Sequence, residues 1–398
     1  WKHNCFEELK AENKIFNYIS HMLIKTPTEI YRFAVANIRS HTRLYDETAE
    51  FPHALWQAMG DAGILGLGVP REYGGGGADY RTLILAGEAL VQGGRNLGLA
   101  IAWLSHTLIS RLIIYGQGNK AQRQQFLPAL AAGRLTPSVA ISEPDAGAHP
   151  KRLTSRAERG DTHWRLSGEK AWLTNGPIAG LYVVLAISDV IAGRKQFSAF
   201  LVPRETAGLT QTQAGAVDFL RPARHGGLRL DNCAVPLENL LGPEGTAFET
   251  ISKPLREAED AVALGTALGG RAAQLELLVQ ALEGTQIALA PEPLETLGAL
   301  YALQEATRTI AFEVAEQLDG RKQGDPTALI LAARRLSRDF QNDFAAFLQA
   351  LNLPESAENA ELFRLTRDMV KSGGLASNVD RAKQGKLAKS MIMKVGRT

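Results

Sequence analysis

The sequence predicts a mainly α protein with a middle β domain, and three observations carry that prediction. Apolar residues recur at helical spacing through the first 135 positions. From Thr136 the texture turns to short β-branched and aromatic runs punctuated by glycine, and from about Gly245 the helical period returns. The domains expected are a helical one at 1–135, an all-β sandwich or barrel at 136–245, and a helical one at 246–398.

In the first region, Phe51-Pro52 opens a helix whose Leu55, Met59 and Ala62 share a face, and Gly63 ends it. A second helix covers about 80–92, and a third carries Ile101, Leu104, Leu108 and Leu112. Between the first two, Gly74-Gly75-Gly76-Gly77 lacks the strand-then-helix context of a phosphate cradle and reads as a structural turn. In the middle region 164–166, 171–174, 182–187, 197–202 and 228–230 read as strands, separated by Asn175-Gly176, Gly193 and Gly226-Gly227. In the last region 260–282 and 294–318 are helical, and Asp325-Pro326 suits the start of another helix.

Composition excludes several function classes. With 398 residues, 45% of them hydrophobic and 22% charged, the chain can bury large cores. The 44 Lys and Arg against 42 Asp and Glu leave +2, without the basic excess of a nucleic-acid binder. Two cysteines, Cys5 and Cys233, exclude a disulfide scaffold and a four-thiolate zinc site; both are expected reduced, in the cytoplasm. No run approaches the ~20 apolar residues of a membrane span, since 108–115 is interrupted by Ser110 and Arg111. Residues 1–27 show no signal-peptide pattern.

Six segments carry a resemblance. They are Phe51-Pro52; 66–75, with Val69-Pro70-Arg71-Glu72-Tyr73; 126–133, opening Phe126-Leu127-Pro128; Ala140-Ile141-Ser142-Glu143-Pro144-Asp145-Ala146-Gly147; Ser167-Gly168-Glu169-Lys170-Ala171-Trp172-Leu173-Thr174-Asn175-Gly176; and 234–242, with Pro236-Leu237-Glu238-Asn239. In order and spacing they resemble the acyl-CoA dehydrogenase family of flavoproteins. The resemblance implies a helical N-terminal domain, a β-barrel or sandwich domain and a C-terminal four-helix bundle, with FAD between the last two. It also implies a homodimer or homotetramer. The reaction implied removes the α-proton and β-hydride of an acyl-CoA thioester. The hydride goes to flavin N5 and the electrons to an electron-transferring flavoprotein.

Carried over by position, Val139, Ile141 and Ser142 would line the isoalloxazine, and Trp172, Leu173 and Thr174 would cover its other side. Gly147 and Ala148 would approach the FAD phosphates or the CoA arm, with Ala148 the substrate contact. Read without the resemblance, Ser142 is a turn former before Pro144 and Trp172 plain core. Glu143 and Glu169 read as structural, and His106 and His149 have no second imidazole at metal-ligand spacing, so no metal is expected.

The sequence also departs from the family pattern. Where many members carry a Glu-Gly-Thr base, it reads Ser372-Gly373-Gly374-Leu375-Ala376-Ser377-Asn378. A minority, similar to the isovaleryl- and long-chain-type enzymes, places a Glu ten residues before the second glycine of an Ala/Gly-rich stretch. Counting back from Gly269 gives Glu259 as the base. Asp260 follows where the family has Arg and stands second, while two acids at a solvated helix start is the alternative reading. An Arg-Phe-Gly segment that holds the neighbouring subunit's FAD becomes Gly284-Thr285-Gln286-Ile287-Ala288. The basic tail at 381–397 reads as a solvated chain end.

The expected function is FAD-dependent dehydrogenation of an acyl-CoA thioester. The alternatives are a non-catalytic protein of the same fold that has lost its FAD contacts, and a same-fold flavin monooxygenase or oxidase.

Overall fold

The computed structural model describes residues 26–215, 217–283, 290–374 and 377–395. Cys5, the 284–288 segment, Leu375, Ala376 and Arg397 lie outside the described residues.

The N-terminal layer comprises α1 (Pro27–Asn37), α2 (Thr42–Thr48), α3 (His53–Asp61), α4 (Tyr80–Gly94), α5 (Leu97–Leu108) and α6 (Lys120–Ala131). Side chains start most of them. Thr26 and Asn119 form capping boxes with Glu29 and Gln122, while Asp79 and Asn96 accept from Thr82 N and Leu99 N at 2.8 Å. The glycine run turns as expected, and its amides are spent inside the turn: Gly75, Gly76 and Gly77 donate to Pro70, Gly66 and Val69 carbonyls.

One expectation from the sequence needs correcting. Ser110 and Arg111 do not break the apolar run, because α5 continues directly as a π-helical turn (Ile109–Tyr115). The run Leu97–Tyr115 is thus long and apolar enough to cross a membrane, and 83% of it is buried inside the helical layer. Its two interrupting residues are accommodated locally. Ser110 Oγ donates to His106 O at 2.8 Å, and Arg111 donates to Ala78 O while covering the Tyr80 ring.

The middle domain is one eight-stranded sheet: β1 (Pro137–Ala140), β2 (Arg156–Arg159), β3 (His163–Thr174), β4 (Leu181–Ile191), β5 (Arg194–Pro203), β6 (Leu209–Thr212), β7 (His225–Pro236) and β8 (Leu240–Leu241). The strand order is β6-β7-β3-β2-β4-β5-β8, with β1 parallel to β4. Alternation sorts β4 between two cores. Leu181, Val183 and Leu185 face the helices, while Tyr182, Val184 and Ala186 join Trp164, Leu166, Leu228 and Val235 in a core the sheet curls around.

The C-terminal helices are α7 (Lys253–Leu282), α8 (Pro291–Leu318), α9 (Thr327–Leu351), α10 (Ala360–Gly374) and α11 (Ser377–Val395). The long α7 packs on α4 with no side chain between them. A Cβ on Gly265 would stand 2.0 Å from Ile84 O, and one on Gly269 2.2 Å from Glu88 O. The helix also begins earlier than the sequence suggested, so Glu259 and Asp260 sit inside it rather than at a solvated start.

Candidate active site

The two signature segments are tied by a buried ion pair. The chain leaves β1 through Ile141, Ser142 and Glu143, and turns back at Gly147, whose φ of +53° suits glycine. Glu143 and Gly147 exchange both backbone hydrogen bonds, at 3.0 and 2.9 Å. The buried Glu143 carboxylate accepts from Thr154 N and Oγ1 at 2.8 Å, from Ser155 N and Oγ at 2.9 and 2.7 Å, and from Lys170 Nζ at 3.0 Å. Lys170 also donates to Ile141 O at 3.1 Å, and Ala171 N to Ser142 O at 2.9 Å.

Burial alone would push the Glu143 carboxyl up, but Lys170 and the Ser155 and Thr154 donors outweigh it and hold the group at about 2. Burial pulls the Lys170 ammonium down to about 8 against the pull of Glu143, so both stay charged at neutral pH. Glu169, by contrast, is exposed and pairs across the strands with Arg229 at 3.0 Å.

The second segment carries a β-bulge. The β3–β7 register shifts between Lys170 and Leu173, and Trp172 takes a φ of +65° there. A bulge re-aims its side chain, and the Trp172 indole is 53% exposed, not core. Gly215 backs it so closely that a Cβ would fall 2.4 Å from Trp172 N.

Leu173 points the other way. Its side chain is 1% exposed in the sheet's own core, so the pleat leaves only its backbone for a contact on the Trp172 side. Thr174 returns to the outer face, and its carbonyl accepts from Ser138 Oγ at 2.8 Å. Val139 and Ile141 are half-buried on the helical side of β1; Ser142, Gly147 and Ala148 are half-buried in the loop.

Beside Thr174 opens a cavity of about 510 Å³. Thr174, His225 and Leu220 form its β-domain wall, α5 contributes Leu97 and Ile101, and α7 contributes Ala263 and Ala267. Of the residues expected to hold the flavin, only Thr174 lines the cavity; Asp260, Ser372, Gly373 and Gly374 line it too, and Glu259 does not. Glu259 is one turn before Ala263 on the same helix face. His225, opposite Thr174 across the strands, has its Nδ1 buried without a partner, and burial pulls its imidazole down.

Two acids, Asp260 and Asp380, line the cavity; Glu259 neighbours Asp260 on α7 without being a lining residue, and the situations of the three differ. Asp260 is held by Arg334 and Lys383, each at 2.5 Å; Asp380 is held by Arg334 at 2.6 Å and Arg338 at 3.0 Å. Lys383 is therefore an inward anchor rather than part of a solvated tail. Glu259 is half-buried, and no hydrogen bond or ion pair to it occurs among the described residues. Burial first, then the charge of Asp260, raise its carboxyl to about 7 despite Arg256. Arg271, fully buried in the same cavity wall, escaped the sequence reading.

Comparison with known proteins fits this architecture. The acyl-CoA dehydrogenase N-terminal domain matches residues 25–134 and the acyl-CoA dehydrogenase middle domain residues 138–233. A mitochondrial isovaleryl-CoA dehydrogenase from Oryza sativa subsp. japonica is 30% identical over 300 residues, 74% of this chain and 73% of its own. An L-prolyl-[peptidyl-carrier protein] dehydrogenase from Pseudomonas fluorescens is 31% identical over 288 residues, 71% of this chain and 75% of its own. A solved structure, PigA with FAD and proline, superposes with a TM-score of 0.81 at 20% identity, covering 92% of this chain and 97% of PigA. The α–β–α order, the bulged Trp172 strand and these matches together make the chain a member of the acyl-CoA dehydrogenase family of flavin oxidoreductases.

Proposed function

We propose that this protein is an FAD-dependent dehydrogenase of an acyl thioester, with Glu259 as the base that takes the α-proton. One observation carries the reading: Asp260 and Asp380, which line the cavity, are neutralised by Arg and Lys, while Glu259, next to Asp260 on the same helix, has no such partner among the described residues. An α-proton next to a thioester is a weak acid, and a base serves best when its pKa lies near the working pH. Glu259, raised to about 7, meets that demand.

The residues around the cavity suit FAD. The bulge presents one face of the Trp172 indole while Gly215 packs behind it, and Thr174 places a hydroxyl in the cavity wall. Val139, Ile141 and Ser142 would line one side of the ring system. Trp172 and Thr174 would line the other, with Leu173 contributing backbone. Gly147 has already committed its amide to Glu143, so it serves as the turn that brings Ala148 toward the CoA arm. When bound, FAD supplies the acceptor for the β-hydride.

In the family manner, an electron-transferring flavoprotein would take the electrons and the chain would form a homodimer or homotetramer. The Pseudomonas relative favours a second reading, in which a carrier protein replaces CoA as the thioester's bearer.

The test is anaerobic bleaching of the flavin by acyl thioesters on the FAD-loaded protein. Glu259→Gln should retain the flavin spectrum and lose bleaching by roughly a hundredfold or more. A variant that bleaches at the wild-type rate removes Glu259 from the mechanism. A protein that holds no flavin removes the dehydrogenase reading.

A further inference from the structure

The α7 helix carries a buried guanidinium that no carboxylate bonds directly among the described residues. Arg271 is fully buried, yet it lines the cavity, so it marks the closed end. Its guanidinium lies over the Phe340 ring at 5.3 Å, and Nη1 donates to Thr307 Oγ1 at 3.2 Å. The remaining nitrogens, Nε and Nη2, are buried without a partner among the described residues. An arginine has five donors, and a buried one normally finds acceptors for them.

Glu88, the carboxylate whose charge acts on Arg271, is already engaged. Glu88 gives both oxygens to Arg308 Nη1, at 2.5 and 2.6 Å. Asp260 and Asp380 are bonded to Arg334, Arg338 and Lys383. Arg308 is shared with Glu305 at 3.2 Å, so the cluster balances in charge, yet no carboxylate in it bonds Arg271 directly. Burial pulls the Arg271 guanidinium down to about 10, which leaves it charged at neutral pH. A buried cation without a directly bonded counter-ion is costly, and a bound anion relieves that cost.

Position supplies the rest. Arg271 lies twelve residues after Glu259, about 18 Å along the same helix. The wall between them is lined by Ala263, Leu264 and Ala267, which suits a methylene chain.

We propose that Arg271 is an anion receptor at the closed end of the cavity, and that the acyl group accepted there carries a carboxylate at the end remote from its thioester. The planar fork of Arg271 matches a carboxylate in geometry as well as charge. The thioester half of this statement rests on the dehydrogenase reading; the anion half does not.

The experiment compares suberyl-CoA, which ends in a carboxylate, with octanoyl-CoA, which does not. Binding to the FAD-loaded protein is measured by calorimetry, and flavin bleaching is measured separately. Wild type should bind suberyl-CoA at least tenfold more tightly, and Arg271→Met should abolish or reverse that preference. Arg271→Lys keeps the charge without the fork and should fall between them; it also serves if Arg271→Met does not fold. Equal binding of the two thioesters by wild type overturns the proposal, as does a preference that survives in both variants. A tenfold or greater loss of FAD affinity in Arg271→Met also overturns it, assigning Arg271 to the cofactor's phosphates. If neither thioester bleaches the flavin, the dehydrogenase reading fails while the binding comparison still decides the role of Arg271.

Discussion

Lys170 Nζ stands 3.0 Å from Glu143 Oε1 in the interior, and this contact joins the loop after β1 to the bulged end of β3. It fixes Ser142 relative to Trp172, the two residues on which flavin binding is proposed to depend. Removing one partner of a buried pair strands the other, typically at about 3–5 kcal/mol. Lys170→Met should therefore destabilise the protein by that order in urea unfolding. The double variant Glu143→Gln with Lys170→Met should cost less than the two single changes added together. The Glu143 carboxyl is held at about 2, below its ordinary value of 4.5. Its contribution is thus present above pH 4.5 and lost as the pH falls toward 2. An unfolding midpoint in Glu143→Gln that tracks wild type across that window would show the pair to be energetically silent.

Gly215→Ala tests the seat of Trp172. A Cβ there would collide with Trp172 N and Cδ2, at 2.4 and 2.7 Å. The indole must shift, and FAD affinity should fall by roughly tenfold, about 1.4 kcal/mol. Flavin-fluorescence titration reads this directly. Unaltered affinity would mean that the cofactor does not use this face of the ring.

The Glu259 carboxyl makes activity and stability pull in opposite directions. Turnover needs it ionised, so kcat/KM should rise with pH and level off above about 7. Stability has the reverse sign. The folded value lies above the ordinary 4.5, so this group's contribution is intact below pH 4.5 and lost as the pH rises through about 7. At pH 8, Glu259→Gln should be inactive yet more stable than wild type, by up to ~3 kcal/mol. Thermal melts of both proteins at pH 5 and pH 8 give the comparison.

Asp260→Asn should move the rising limb of the rate profile. It removes a negative charge beside Glu259 and frees the positive charges of Arg334 and Lys383. Both changes favour the ionised base, so the limb should shift to lower pH by up to about one unit. A limb unchanged or shifted upward contradicts this electrostatic coupling.

The α–β–α order was legible because periodicities of 3.6 and 2 are written locally, and the Trp172 strand because its motif is contiguous. What escaped depends on partners far along the chain. Arg156-Ala157-Glu158-Arg159 reads as a charged loop, yet it forms β2 because β3 offers it a partner from 164 to 167. Leu173 was grouped with its motif neighbours, but the pleat turns it into the core. Arg271 looks like a solvated helix residue until α8 and α9 supply Thr307 and Phe340. A signal did exist: Leu264, Leu268, Arg271, Leu275 and Leu278 follow helical spacing, so an arginine interrupts an apolar stripe. The motif singles out Glu259 as the candidate base, and only the ion pairs of Asp260 and Asp380 distinguish it from its neighbours.

The glycine seam between α4 and α7 bears on how the cavity adapts. Gly265 and Gly269 set backbone against backbone, leaving no compressible layer on which the helices could slide. The helix that carries Glu259, the proposed base, is consequently held stiffly against the N-terminal layer. The opposite wall is of another kind: α9 and α11 reach α7 through Arg334, Arg338 and Lys383, long side chains that can swing while remaining paired. If the proposed reaction holds, accommodation of acyl groups of different length would fall to the charge-linked wall, while the side bearing Glu259 would keep its aim.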